Sequence, residues 1–215
     1  MMMESLISAG VALGLPLGEK VIRKIGPSHL AILKPAIKLA MKFIDAEVIA
    51  ENIDIRKLAS EVLGSMPKFR EDSEEINKYL LEFQDVLPEV TVFVSEVTNK
   101  LIERYDALKE NFSKFEVPFS ANLILKETGT EIYIKVGKDI NIEVGISPDA
   151  DITVTLSMGS LLEIADALNT SMMDAINLFL KEDFTFNSAQ AISKVHQFLY
   201  YLLDPIQDVS GIPIG

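Results

Sequence analysis

Any chemistry this chain performs would have to come from two histidines and a few carboxylate pairs, because the sequence contains no cysteine. That removes disulfides, thiolate nucleophiles and Cys-ligated metal at once. His29 follows Gly26-Pro27-Ser28, and no serine stands in a G-x-S-x-G frame, so a Ser–His pair lacks its usual setting. His196 lies next to the apolar stripe of a C-terminal helix. A helix-edge or core histidine is the plainer reading of both. Neither H-x-x-x-H nor H-E-x-x-H occurs, so a two-histidine metal site has no spacing to support it. No Gly-rich loop ends in Lys-Ser or Lys-Thr, so nucleotide hydrolysis is not indicated. The carboxylate pairs are Asp149/Asp151 and Glu182/Asp183. Such pairs do acid–base work when their surroundings split their pKa values. Asp149 and Asp151 instead flank a turn, where Asp is expected for its local backbone hydrogen bonds, and they read more plainly as solvated turn residues. The chain is therefore expected not to be an enzyme and to need neither cofactor nor metal.

What is left is apolar, and its spacing defines the elements that would carry a site. At Phe115 the hydrophobic period changes from near 3.6 to 2, with Pro118 as a natural boundary. Ala121, Leu123 and Leu125 alternate with Ser120 and Asn122, and Thr128-Gly129 makes a hairpin turn. Ile132, Ile134 and Val136 follow, then Gly137-Lys138, then Ile140, Ile142, Val144 and Ile146. A fourth strand, Ile152, Val154 and Leu156 against Asp151, Thr153 and Thr155, enters through Ser147-Pro148-Asp149-Ala150 and leaves through Ser157. The tight connections predict an antiparallel meander with one uniformly apolar face, which must be covered. The cover is predicted as helices bearing Leu161, Leu162, Ala165 and Leu168, then Met172, Met173, Ile176, Phe179 and Leu180 behind a Ser171 cap. Phe184-Thr185-Phe186 reads as a fifth strand. A last helix, capped by Asn187 or Ser188, carries Ile192, Val195, Leu199 and Leu202 and ends at Asp204-Pro205, followed by an unpatterned tail over 206–215. From pattern alone this interior is a filled core. Met158, Met172 and Met173 near one end, with Phe184 and Phe186 as large walls, lean toward an adaptable apolar pocket.

Residues 1–115 read as about five helices and no strand. Short helices are predicted over Ser5–Leu13 and Glu19–Ile25, the second stopped by Gly26-Pro27. A helix from Pro35 to about Glu51 carries Ile37, Met41, Ile44 and Val48 on one seam and Lys34, Lys38 and Lys42 in a second row. A helix from Asp54 to Leu63 is stopped by Gly64 and Pro67; Asp72-Ser73-Glu74-Glu75 opens another as a capping box. A long helix from Pro88 reaches Phe112. No apolar run approaches the roughly 20 residues of a membrane span, and Leu6 to Leu17 lacks the flanks of an export signal, so the chain reads as cytoplasmic. Charge is uneven: 15 Lys/Arg against 18 Asp/Glu up to residue 115, but 5 against 14 beyond it, within a net charge of −12. An acidic surface of that kind repels phosphate backbones and argues against nucleic acid.

The strand entered through Pro148-Asp149-Ala150-Asp151 and left through Ser157 into a Leu-rich helix resembles the sterol carrier protein-2-like family, over roughly residues 119–203. The resemblance implies strands, two helices, one more strand and a final helix, with a fatty acyl, sterol or isoprenoid lipid held between sheet and helices. It implies a lining that includes Ile134, Leu156, Leu161, Leu162, Met172 and Met173. It extends that lining through Ile176, Phe179, Phe186, Val195 and Leu199. The sequence departs from the family pattern at Glu182, at Asn187-Ser188-Ala189 and at Ile132-Tyr133-Ile134, where members commonly hold Gly, Gly-Asp or Gly-Asn, and Trp. The expectation is an α+β protein: a helical region over 1–115, then a five-stranded, mostly antiparallel sheet covered on one face by helices over 116–205. The expected function is non-catalytic binding, and transfer, of a hydrophobic ligand; the alternative is an interaction or scaffold protein with a filled core. Lys34, Lys38 and Lys42 beside the apolar residues 1–18 suggest a peripheral membrane contact, and the helix from Pro88 a homo-oligomer contact.

Overall fold

The structure is a computed structural model and describes residues 34, 35, 38, 39 and 41–215. The short helices expected over Ser5–Leu13 and Glu19–Ile25 lie outside the described residues. Among the described residues, helical turns at 41–43 and before are followed by five helices: α1 (Ala46–Asn52), α2 (Ile55–Glu71), α3 (Ser73–Phe83), α4 (Leu87–Arg104) and α5 (Asp106–Phe112). The α+β part follows as β1 (Phe119–Leu125), β2 (Glu131–Val136), β3 (Ile140–Val144), β4 (Ile152–Leu156), α6 (Met158–Ala167), α7 (Met172–Phe179), β5 (Asp183–Phe186) and α8 (Ala189–Ser210). The alternating stretches become strands, and Ser157, Ser171 and Ser188 each cap the helix that follows by accepting from a backbone N–H three residues on.

The sheet order is β3-β2-β1-β4-β5. The meander holds for β1, β2 and β3, but β4 pairs with β1 in parallel, so the chain crosses two strands between β3 and β4. Residues 145–151 make that crossing, and Asn122 holds it: its side-chain amide donates to Ser147 O, and its oxygen accepts from Ser147 N. The register aligns the alternating apolar positions on one face, with Ile124 of β1 on the other, between Glu131 and Thr155. Phe186, Ile152, Ala121, Ile134 and Ile142 form one row across all strands; Phe184, Val154, Leu123, Ile132 and Val144 form the next.

Two hydrophobic clusters cover this face, and each draws on both sides of residue 115. In the first, Met66 of α2 packs with Leu125, Ile152, Val154, Leu156, Met158, Leu162 and Ala191. In the second, Ile102, Leu108, Phe112 and Phe115 pack with Val136 and Leu202. The change at residue 115 is thus one of secondary structure, with the cores continuous across it. At the β3 edge, α4 closes the ladder with side chains: Ser95 Oγ accepts from Ile142 N, and Asn99 both accepts from Ile140 N and donates to Ile140 O. This covers an edge strand that would otherwise expose unpaired backbone groups.

Several boundaries differ from the sequence expectation, each for a local reason. The helix expected from Pro35 to Glu51 breaks at Ile44–Asp45, where Asp45 accepts from Glu47 N and starts α1. The helix expected to stop at Gly64 and Pro67 runs on to Glu71. A proline inside a helix strips a donor from the carbonyl four residues back. Here that carbonyl is Leu63 O, and Asn169 donates its side-chain amide to it instead. The capping box at Asp72 does not form; α3 starts there without a side-chain cap. The long helix from Pro88 breaks at the extended Tyr105, with Arg104 donating to Ala50 O and Ile53 O. The last helix passes through Asp204-Pro205 to Ser210, because Ile206 and Val209 pack on the second cluster, and Gly211 ends it with φ +77. Of its expected stripe Leu202 is buried, Val195 and Leu199 are half-buried and Ile192 is 58% exposed, while Ala191 and Pro205 are buried in addition.

Candidate functional site

Among the described residues, those whose types could do chemistry do not converge. His196 is exposed on α8, and His29 lies outside the described residues. Among the described residues no group of three His, Asp or Glu could hold a metal ion. Asp149 is exposed, but Asp151 is not the solvated turn residue expected. It is 7% exposed and links three elements. Its Oδ2 accepts from Ser120 N at 2.9 Å and Ser120 Oγ at 3.1 Å, and its Oδ1 pairs with Lys194 Nζ at 2.7 Å. The parallel pairing of β4 with β1 explains the difference, because it brings Asp151 beside Ser120 at the strand start, under α8. The carboxylate thereby ties β1 and β4 to α8.

The eleven positions implied by the resemblance separate into two groups. Leu156 and Leu162 are buried in the first cluster, with Leu161 and Phe179 packed at its margin; Ile134 packs at the margin of the second. Met172 is buried. These six positions belong to packed interior. Met173, Ile176, Phe186, Val195 and Leu199 belong to neither cluster and are half-buried or exposed. They lie on α7, β5 and α8, with Leu180 and Ile192 exposed beside them in sequence. The row through β5 makes the point. Phe186 and Ile152 are cross-strand partners on one face, yet Ile152 is 4% exposed and Phe186 38%. The next residue of that row is Ala121, the smallest apolar side chain on the face and half-buried. An aromatic chain leads out of the core to this place: Phe179 stacks on Phe184 at 6.4 Å, and Phe184 meets Phe186 edge-on at 5.1 Å. The sequence places Leu180 and Ile192 on covered apolar stripes; the structure leaves both exposed.

Two open clefts lie elsewhere and include none of these positions. One, of about 830 Å³, lies between residues 38–47 and α4, over Met41, Ile44, Val92 and Phe93 with Lys42 and Lys100 at its rim. The other, of about 430 Å³, lies between the end of α1, the start of α2 and Asp208-Val209 of α8, around Arg56 and Arg104. The lysine row is partly engaged within the molecule. Lys34 pairs with Glu82 and Asp85, and Lys38 with Asp85 and Glu89. The hydrogen bond from Lys34 holds the Asp85 carboxyl below its ordinary pKa. Of the row, Lys42 alone has no ion-pair partner among the described residues. Among the described residues no helix is long and apolar enough to cross a membrane.

The C-terminal part of the chain is an α+β unit, an apolar sheet face under helices, built in the order four strands, two helices, a strand and a last helix. A search of solved structures finds a chain described as the UbiJ-SCP2 ubiquinone synthesis protein. It is 18% identical, with a TM-score of 0.39, over 54% of this chain and 95% of that one. No protein-family model matches the chain, and no curated protein matches it.

Proposed function

We propose that this protein is a non-catalytic binder of a hydrophobic ligand with a long apolar part, taken up against the strip formed by α7, β5 and α8. The observation that carries this reading is the incomplete cover of the sheet at β5: Phe186 stays 38% exposed in a row whose next member is buried. Met173, exposed, and Ile176, Val195 and Leu199, half-buried, add accessible apolar surface on the adjoining helices. Desolvating such surface gains about 25 cal/mol per Å², and no ionised side chain need be buried to do so. A second reading, an interaction protein with a filled core, draws support from Leu156 and Leu162, which pack with Met66 of α2 and so fill the deeper part of the expected pocket. In the binding reading the ligand lies in the shallower part of the interface, and exchange with a lipid surface follows from that position.

Native mass spectrometry of the purified protein, followed by solvent extraction, tests the reading. A stoichiometric lipid, or saturable uptake of dansyl-labelled undecanoic acid that is weakened at least about tenfold by Phe186→Asp, supports the binder. Bare protein that takes up no probe favours the filled-core alternative.

A further inference from the structure

The three helices of the α+β part are held very differently. α6 is tied to α2: Arg70 pairs with Asp166 at 2.8 Å, and Asn169, just past the helix, donates to Leu63 O. Its first N–H is held by Glu127. α8 is tied at both ends, by Lys194 to Asp151 and by Arg56 Nη2 donating to Asp208 O, and in the middle by Phe198 and Tyr201 against Phe115. α7 has nothing comparable. Among the described residues its broad contact is with α6, its link to the sheet is the Phe179–Phe184 stack, and no side chain from Met172 to Phe179 is hydrogen-bonded or ion-paired to another element.

What holds the start of α7 is the chain's own tail. The first N–H groups of a helix have no partner within it. Met172 N donates to Pro213 O at 2.7 Å and Met173 N to Ile214 O at 2.9 Å, while Asp174 N is taken by Ser171 Oγ at 3.0 Å. Residues 211–215 therefore form a strap from the end of α8 to the start of α7, with their own Ile212 and Ile214 half-buried. The strap sits close: a Cβ on Gly215 would stand 3.0 Å from Ser171 Oγ and 3.3 Å from Met173 Cβ.

We infer that α7 is the moving wall of the ligand strip and that residues 211–215 are its latch. The gating role rests on the proposed binding site; the latch itself does not. Elements with few buried contacts and few side-chain ties open first, and a helix that carries Met173 and Ile176 uncovers their strip when it swings. Releasing two backbone hydrogen bonds frees the start of α7 without disturbing the ties on α6 or α8.

The absence of native cysteine permits a reversible lock. In the double variant Ser171→Cys, Gly215→Cys the two Cβ atoms start 3.2 Å apart, within a few tenths of the roughly 3.5–4.5 Å of a disulfide. Hydrogen exchange is read first, with no ligand present. In the wild type the amides of residues 172–179 exchange at least about tenfold faster than those of α6 and α8; oxidation of the variant slows them, and reduction returns them to the wild-type rate or faster, because any side chain at Gly215 (φ +125) strains the strap. Because Ser171 is also a cap, Gly215→Val is read alongside. It leaves Ser171 in place, crowds the strap, and speeds exchange over the same residues. Exchange over 172–179 no faster than over α6, or unaltered by the disulfide, overturns the latch. Uptake of dansyl-labelled undecanoic acid is read second. Slower uptake by the oxidised form, by about the factor seen in exchange, supports the gate, and equal rates overturn it. If wild type and variants all fail to take up the probe, the binding reading fails and the gate with it, while exchange still decides the latch.

Discussion

Asp151→Asn is the substitution with the largest consequence for its size. The side chain keeps its shape, but one carboxylate oxygen becomes an NH2 group facing groups that already donate: Ser120 N–H and Oγ–H on one side, the Lys194 ammonium on the other. Lys194 is then left without its counter-charge. Removing one member of a buried ion pair costs about 3–5 kcal/mol. The Lys194 side chain is 20% exposed, so water recovers part of the loss. We expect about 2–3 kcal/mol of destabilisation, which for a chain of this length lowers Tm by about 5–10 °C. Lys194→Met should cost less, about 1–2 kcal/mol, because the carboxylate keeps both hydrogen bonds from Ser120. The double variant should lie close to Asp151→Asn alone, giving a coupling of about 1–2 kcal/mol. Urea unfolding of the four proteins, with unchanged slopes, measures this. If Asp151→Asn lies within about 0.5 kcal/mol of wild type, or the two losses simply add, the carboxylate is a solvated turn residue after all and the anchor of α8 has been misassigned.

Other tests address separate contacts. Asn99→Ala removes both side-chain partners of the Ile140 backbone and should cost about 1–3 kcal/mol; the exposed β3 edge should also raise self-association, seen by light scattering, and a variant that stays monomeric and as stable as wild type would show that α4 does not guard the edge. Tyr79 is buried, and burial, followed by the nearby Glu75 and Asp72, pushes its hydroxyl above the ordinary pKa. Its folded-state pKa exceeds the unfolded value of about 10, so the protonated folded form is favoured. Stability is therefore unaffected below that value and falls as pH rises beyond it; in an alkaline titration of tyrosinate absorbance one tyrosine should ionise later than the others, and Tyr79→Phe should abolish that late step. A fragment of residues 116–215 lacks Met66, Ile102, Leu108 and Phe112 from the two cores; it should bind a hydrophobic dye and lose near-UV dichroism, and a cooperative, native-like transition would mean that the helical half is dispensable.

The strands were legible because a half-buried strand writes its two faces directly into alternate positions. Ile132/Ile134/Val136 and Ile152/Val154/Leu156 left no other reading, and their register then follows from the need to keep one face apolar. The parallel placement of β4 was not legible, because a seven-residue connection with Pro148 at its centre reads as a turn whether it reverses the chain or carries it across two strands. What distinguishes the cases is Asn122, a polar residue in an ordinary alternating position, which only the folded chain brings to Ser147. Prolines misled in the same way. Pro67 and Pro205 are local stop signals, and each was overridden from a distance: by Asn169, one hundred and two residues on, at the first, and by the packing of Ile206 and Val209 at the second.

The same limit applies to the candidate site. Period and volume assign an apolar residue to a face, but whether the face is covered depends on which other element arrives. The sequence puts Ile192, Val195, Leu199 and Leu202 on one stripe; the stripe the fold buries most runs through Ala191, Phe198 and the same Leu202, turned slightly round α8. Both stripes are apolar, and the sequence favours the one with the larger side chains. The fold buries the other because Lys194 must reach Asp151 and Phe198 must reach Phe115 and Phe119. The polar tie sets the rotation of α8, the rotation leaves Ile192 exposed and Val195 and Leu199 half-buried toward β5, and the strip proposed to bind a ligand is thus a consequence of one buried ion pair.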